Sequence, residues 1–234
     1  FYRDEGGLIR LTAKLKRDIL KNNLYGVDID PQAVEVTRFS LSLKALEDLR
    51  EGELTEERTL FHQTVLPDLS GNIKNGNSLI GTDYFTGQMF TDPEELKNVR
   101  PFDWSREFKE IMSGENGGFD CVIGNPPYGA TFSENDKTYF RNYYKTSQGR
   151  FESYQYFMEK CLSVIRNGGY FSLIVPDTWF TLRDAELLRR MLLNQTSLEQ
   201  LLGLHENVFE KVKVDVCIFI ALKSQKKVLT KVKI

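Results

Sequence analysis

Six residues, Phe119-Asp120-Cys121-Val122-Ile123-Gly124, run directly into Asn125-Pro126-Pro127-Tyr128. An apolar run of about this length, bounded by turn formers, reads as a buried strand. The prolines set how that strand ends. Neither has an N–H to donate, and each pushes the residue before it out of the helical region. The strand is therefore expected to close in a stiff extended corner at residues 125–128.

Further segments alternate between strand and helix character. Leu8, Leu11, Leu15 and Ile19 recur at helical spacing, so residues 8–22 are expected to be helical. Leu24 to Asp28 reads as a short buried strand closing on a carboxylate. Asp30 is placed to cap the next helix and Pro31 to occupy its first position, with Val34, Leu41 and Ala45 inward and an end near Leu49. Asn72 to Leu79 suggests a short strand and a tight turn at Asn75-Gly76. Phe151 to Ile165 is an amphipathic helix stopped by Asn167-Gly168-Gly169, and Tyr170 to Val175 is a third strand. Leu182 to Leu193 is a helix. Leu198–Leu204 and Val214–Leu222 are strands with no helix between them, which predicts an antiparallel pair at one edge. The pattern is α/β: a mostly parallel sheet with helices on both faces. Residues 50–71 and 83–118 are polar and read as surface insertions, the second with a helix near Trp104 to Met112. Residues 129–150 read as a mobile loop holding a short helix.

Composition narrows the function. The 234 residues suffice for one large domain. No run approaches the roughly 18 apolar residues that cross a bilayer. Cys121, Cys161 and Cys217 lack metal-ligand spacing and read as buried thiols of a cytoplasmic protein, and with only His62 and His205 a histidine-based metal site is not expected. A net charge of −2 is not the footprint of a protein that grips DNA over its whole surface. Local phosphate contacts would fall to Arg141, Lys145 and Arg150, or to the tail Lys223 to Lys233, whose alternative role is a solvated end.

The 125–128 corner carries the sharpest chemistry. Ligands of open α/β sheets bind beyond the carboxyl ends of the strands. There the corner offers the Asn125 side-chain oxygen and the Pro126 carbonyl as neighbouring acceptors, with the Tyr128 ring beside them. Two acceptors and a ring suit a planar base bearing an NH2 group. The amine is a poor nucleophile because its lone pair is delocalised. Accepting both its hydrogens makes the nitrogen more pyramidal and electron-rich, and fixed oxygen dipoles stabilise the positive charge it gains on attacking a methyl group. Tyr128 would stack on the base and align it. The alternative is a proline-rich loop that only ends a strand. At the end of its own strand, Asp28 can accept from both hydroxyls of a ribose, and Ile29 can lie against an adenine face, although Asp28 can equally be a turn residue. Asn77, in Asn75-Gly76-Asn77-Ser78-Leu79, can reach an adenine edge or simply form a turn.

These residues in this order resemble the gamma-class N6-adenine DNA methyltransferases, and in particular the methyltransferase part of large type II (IIG-like) restriction-modification enzymes. The resemblance covers nearly the whole chain. It implies a Rossmann-like S-adenosylmethionine-dependent methyltransferase fold. It assigns cofactor contacts to Asp28, Ile29, Asn77 and Ser78, and catalysis to Asn125, Pro126, Pro127 and Tyr128. Phe157 would pack on the cofactor's adenine and Phe209 on the second face of a flipped target base; the alternative for both is core packing. Asn77 stands where Asp is common in the family. The family's glycine-rich cofactor loop is expected before residue 1 and a target-recognition domain after residue 234, so residues 1–234 are expected to be an incomplete catalytic domain. A nuclease domain elsewhere in the same polypeptide, double-stranded DNA as partner and no membrane complete the expectation. Rival readings are a methyltransferase acting on cytosine N4, an RNA base or a protein glutamine amide; a non-catalytic DNA-binding subunit; and a nicotinamide-dependent oxidoreductase, which suits Asp28 but not the proline corner.

Overall fold

The computed structural model describes residues 2–3, 7–47, 66–87, 92–147, 149–204 and 214–224. The chain divides into two compact units, residues 1–78 with 90–101, and residues 79–89 with 102–234.

In the first unit, strands β1 (Tyr2–Arg3) and β2 (Ile9–Arg10) pair antiparallel. Helix α1 spans Ala13–Asn23, shorter than expected, because Thr12 is extended and its hydroxyl accepts the Leu15 N–H. Leu8 and Leu11 lie outside the helix and are exposed, so their helical spacing is coincidental. Strand β3 (Gly26–Asp28) runs parallel to β4 (Ile73–Asn75) with Asp28 opposite Asn75. Between them lies α2 (Pro31–Leu46), with Pro31 in its first turn and the Asp30 carboxylate accepting the Gln32 N–H. Val34, Leu69 and Ile73 form the small core, flanked by Leu20 and Leu41. Arg38 ties α2 to β4 by donating to the Ile73 carbonyl from Nε (2.9 Å) and Nη2 (2.6 Å). Helix α3 (Pro93–Val99) ends at Arg100, whose φ of 50° lies in the left-handed region. Residues 50–65 of the first expected insertion lie outside the described residues.

The second unit is built on a four-stranded sheet in the order β5-β6-β8-β7, with β5 Phe119–Gly124, β6 Ile165–Pro176, β7 Thr196–Leu204 and β8 Val216–Lys223. β5 and β6 are parallel; β8 is antiparallel to both β6 and β7. The antiparallel pair at the close of the chain is present, but with only one parallel pairing of three this sheet is mixed rather than mostly parallel. The reason is that β8 inserts between β6 and β7. Period-two alternation puts Phe171, Leu173 and Val175 of β6 opposite Ala221, Phe219 and Cys217 of β8 on one face. That face packs on helices α7 (Ser153–Val164), through Tyr154, Met158, Cys161 and Leu162, and α8 (Glu186–Gln195), through Leu188 and Leu192. Burying each of the Val, Leu, Phe and Met side chains among them contributes about 1.5–3 kcal/mol.

Two details depart from expectation, and a third, the short helix expected within 129–150, is present. Val122 of β5 packs on this core, so Cys121 and Ile123 point to the opposite face; Cys121 is exposed rather than buried, and Ile123 is 80% exposed. Within 83–118, the helix near Trp104 is broken at Phe108 into α4 (Trp104–Glu107) and α5 (Lys109–Met112), and Phe102 and Phe108 are buried in an aromatic group with Trp104 and Phe119. Within 129–150, residues Glu134–Tyr143 form the ten-residue helix α6, started by a reciprocal Ser133–Asp136 capping box. Its Tyr139 and Phe140 are buried, and the Glu159 carboxylate holds the following turn by accepting the N–H groups of Lys145 and Thr146, each at 3.0 Å.

Candidate active site

After β5, residues 125–127 take neither helix nor strand, and the chain bends at Tyr128. Pro126 is buried, Pro127 and Asn125 are exposed, and Tyr128 is half-buried. Register fixes the approach, because Gly124 pairs with Leu173 of β6. Beyond the prolines, the Tyr128 phenol donates to the Ile174 carbonyl at 2.9 Å, so the ring is tethered to the neighbouring strand. Burial, and then the nearby Cys217 thiol, raises the Tyr128 phenol above its ordinary value. It therefore stays protonated near neutral pH and remains a donor. The hydroxyl of Ser153, at the start of α7, donates to the Pro127 carbonyl. Among the described residues the Asn125 amide meets no hydrogen-bond partner. An exposed, unpartnered amide on a corner held from both sides is arranged to meet something outside this unit's own packing.

Four of the residues expected to hold a cofactor, Asp28, Ile29, Asn77 and Ser78, sit in the first unit, at or just beyond the carboxyl ends of its two parallel strands. Asp28 is exposed, and one of its carboxylate oxygens accepts the Asp30 N–H at 2.8 Å. Ile29 beside it is 50% exposed. Asn77 follows β4, and its N–H donates to the Arg100 carbonyl at 2.7 Å; Asn77 and Ser78 are partly buried. Two residues not anticipated from sequence shape this corner. The Asn75 amide donates to the carbonyls of Asp28 and Ile29, both at 3.0 Å, and Arg100 donates to the Ile29 carbonyl at 2.8 Å. Asn75 was legible only as a turn residue, and Arg100 carries no sequence signal.

Phe157 is partly buried and packs against the main core of the second unit. Phe209 lies outside the described residues, as does the tail from residue 225. Arg141, Lys145 and Arg150 are exposed; the Arg141 guanidinium lies 4.8 Å from the centre of the Phe151 ring, and the Arg150 N–H donates to Asp184 at 3.1 Å. Among the described residues no group of three metal-ligating side chains occurs, and no helix is long and apolar enough to cross a membrane.

The α/β order of elements, with a carboxylate or proline corner at strand carboxyl ends, is that of the S-adenosylmethionine-dependent methyltransferase fold. The chain belongs to the Eco57I restriction-modification methylase family, which it matches over residues 22–209. It is 32% identical over 217 residues to the type II restriction enzyme and methyltransferase RM.Eco57I of Escherichia coli, an alignment covering 89% of this chain and 20% of that protein. It is 30% identical over 168 residues to the type II methyltransferase M.HincII of Haemophilus influenzae, covering 69% of this chain and 33% of that one. The chain thus spans a fifth to a third of the length of these two relatives. Among solved structures, a nuclease-deletion mutant of the type ISP restriction-modification enzyme LlaGI, in complex with a DNA substrate mimic, shares the fold with a TM-score of 0.57 at 12% identity, covering 93% of this chain and 18% of that one.

Proposed function

We propose that this chain carries the methyl-transfer centre of a site-specific DNA methyltransferase acting on the exocyclic amine of adenine. S-adenosylmethionine would supply an electrophilic methyl group on a sulfonium centre. The observation that carries the reading is the Asn125 amide, exposed and unpartnered on a corner whose neighbours Pro127 and Tyr128 are both hydrogen-bonded to the scaffold. Such a group is free to accept from a substrate N–H without first breaking an internal bond.

The cofactor corner suits a nucleoside. Asp28 is exposed and, among the described residues, engages one of its oxygens, which leaves acceptor capacity for ribose hydroxyls. Ile29 offers an apolar surface for a purine face. Asn75 and Arg100 hold the backbone from which both side chains project. Asn77 is assigned to the cofactor's adenine edge and Ser78 to the same cofactor.

Duplex DNA hides an adenine amine in the stack, so the target base must leave it, at a cost of about a few kcal/mol. The base then lies against Tyr128, with Phe209 assigned to its second face. Asn125 and the Pro126 carbonyl would accept the two amine hydrogens while the nitrogen takes the methyl group, the methyl–sulfur bond breaking to leave the cofactor as a neutral thioether. The proton shed by the methylated amine passes to solvent. Sequence reading of the DNA, and any cleavage, belong to other parts of the full polypeptide. The full-length enzyme carrying Asn125→Ala is expected to lose turnover by about 100-fold or more while binding S-adenosylmethionine normally, since one preorganised partner of developing charge is commonly worth that much. Near-normal turnover would refute the assignment. Assays on DNA, RNA and protein acceptors, with analysis of the modified base, separate adenine from cytosine N4 and from the non-DNA amides.

A further inference from the structure

Ser153 opens α7 and is 1% exposed, yet its hydroxyl does not cap the helix; it donates to the Pro127 carbonyl. The corner it reaches has no N–H at either proline with which to tie itself down. Its approach is fixed by the Gly124–Leu173 pairing and its exit by the Tyr128–Ile174 hydrogen bond, both on β6. Ser153 supplies the contact between them, from a different element.

We propose that Ser153 is a positioning residue for methyl transfer, holding the Pro126 carbonyl in line with the target amine through Pro127. The proposal rests on the reading of this corner as the amine-binding site. The Pro127 ring locks its own φ, so ψ of Pro127 is the one soft torsion between the Pro126 carbonyl and the carbonyl that Ser153 grips. Fixing the second carbonyl removes that freedom and aims the first. Without the grip, the Pro126 acceptor drifts relative to Asn125, and a misplacement of about 1 Å in a reacting geometry costs on the order of 100-fold in rate. Stability should respond differently. Pro127 is exposed, so water can replace the lost donor. Ser153→Ala removes one oxygen and leaves the packing of α7 in place.

The test uses the full-length enzyme with tritiated S-adenosylmethionine and unmodified DNA from a host lacking the enzyme. Wild type, Ser153→Ala, Ser153→Thr and Asn125→Ala are compared in kcat, in KM for the cofactor and in melting temperature. Ser153→Ala is expected to lower kcat by about 10- to 100-fold with KM and melting temperature unchanged, and Ser153→Thr, which keeps the hydroxyl, to stand nearer to wild type. Two results overturn the proposal while leaving the active-site reading intact, provided Asn125→Ala is inactive. One is Ser153→Ala within about twofold of wild type; the other is a loss of kcat, cofactor affinity and melting temperature in step, which marks a packing role. Ser153→Thr no better than Ser153→Ala, at wild-type melting temperature, also overturns it. An active Asn125→Ala overturns the underlying reading instead.

Discussion

Tyr128 is given two separable jobs, and two substitutions divide them. Its phenol donates to the Ile174 carbonyl at 2.9 Å, while its ring is assigned to the flipped base. Tyr128→Phe removes the tether and keeps the ring. A hydrogen bond of this kind contributes about 0.5–1.5 kcal/mol net. If all of it serves to orient the ring, turnover falls by roughly 2- to 10-fold, since about 1.4 kcal/mol is a factor of ten. Tyr128→Ala removes ring and tether together. Base–aromatic stacking adds about 1–3 kcal/mol per base, so the combined loss is roughly 10- to 2,000-fold. Single-turnover methyl transfer measures both, and 2-aminopurine at the target position reports the extruded base through its fluorescence. The expected order is wild type, then Phe, then Ala, with the fluorescence of the extruded base largely kept in Phe and lost in Ala. A Phe variant as impaired as Ala would refute the reasoning, because the hydroxyl rather than the ring would then carry the chemistry.

Other consequences are checked more simply. Alkylation of the native chain should modify Cys121, which is exposed, and spare Cys161 and Cys217; burial pushes the Cys161 thiol up to about 12, and mass spectrometry showing modified Cys161 before unfolding would contradict the packing. Burial raises the Tyr139 and Tyr144 phenols above their ordinary values. Above pH ~10 the unfolded chain therefore sheds protons that the native one keeps, and stability should be full below that pH and fall as pH rises beyond it. Urea midpoints across this range, followed with tyrosinate absorbance, test the sign. Gly118→Ala should cost more than about 1 kcal/mol, because φ is +129° and a Cβ would stand 2.5 Å from the Arg166 backbone nitrogen; an unchanged urea midpoint would refute that.

What was legible beforehand was local. Asp30 and Pro31 announced the start of α2 because capping is decided within one turn, and the 119–128 segment announced strand and corner because proline geometry needs no partner. Leu8 and Leu11 misled, since spacing alone cannot say whether a face meets a core; Thr12 was the better signal. Ser133 with Asp136 three residues on marks the start of α6, the short helix expected within 129–150. The exposure of Cys121 and Ile123 was not readable, because alternation names two faces without saying which is covered. Nor were the hydrogen bonds from Asn75, Arg100 and Ser153 to distant carbonyls, which depend on how remote segments meet and leave no pattern in composition or period.

The position of β8 has a consequence for how the molecule is made. β8 comes after β6 and β7 along the chain but lies between them. A ribosome therefore releases both outer neighbours before the strand that joins them. Until then β7 has no partner in its sheet, β6 has one, and the apolar side chains of Phe171, Leu173 and Val175 wait for Phe219. Closure of the sheet is thus a late, non-local step, the kind that sets slow folding rates and leaves unpaired strand edges open to wrong partners.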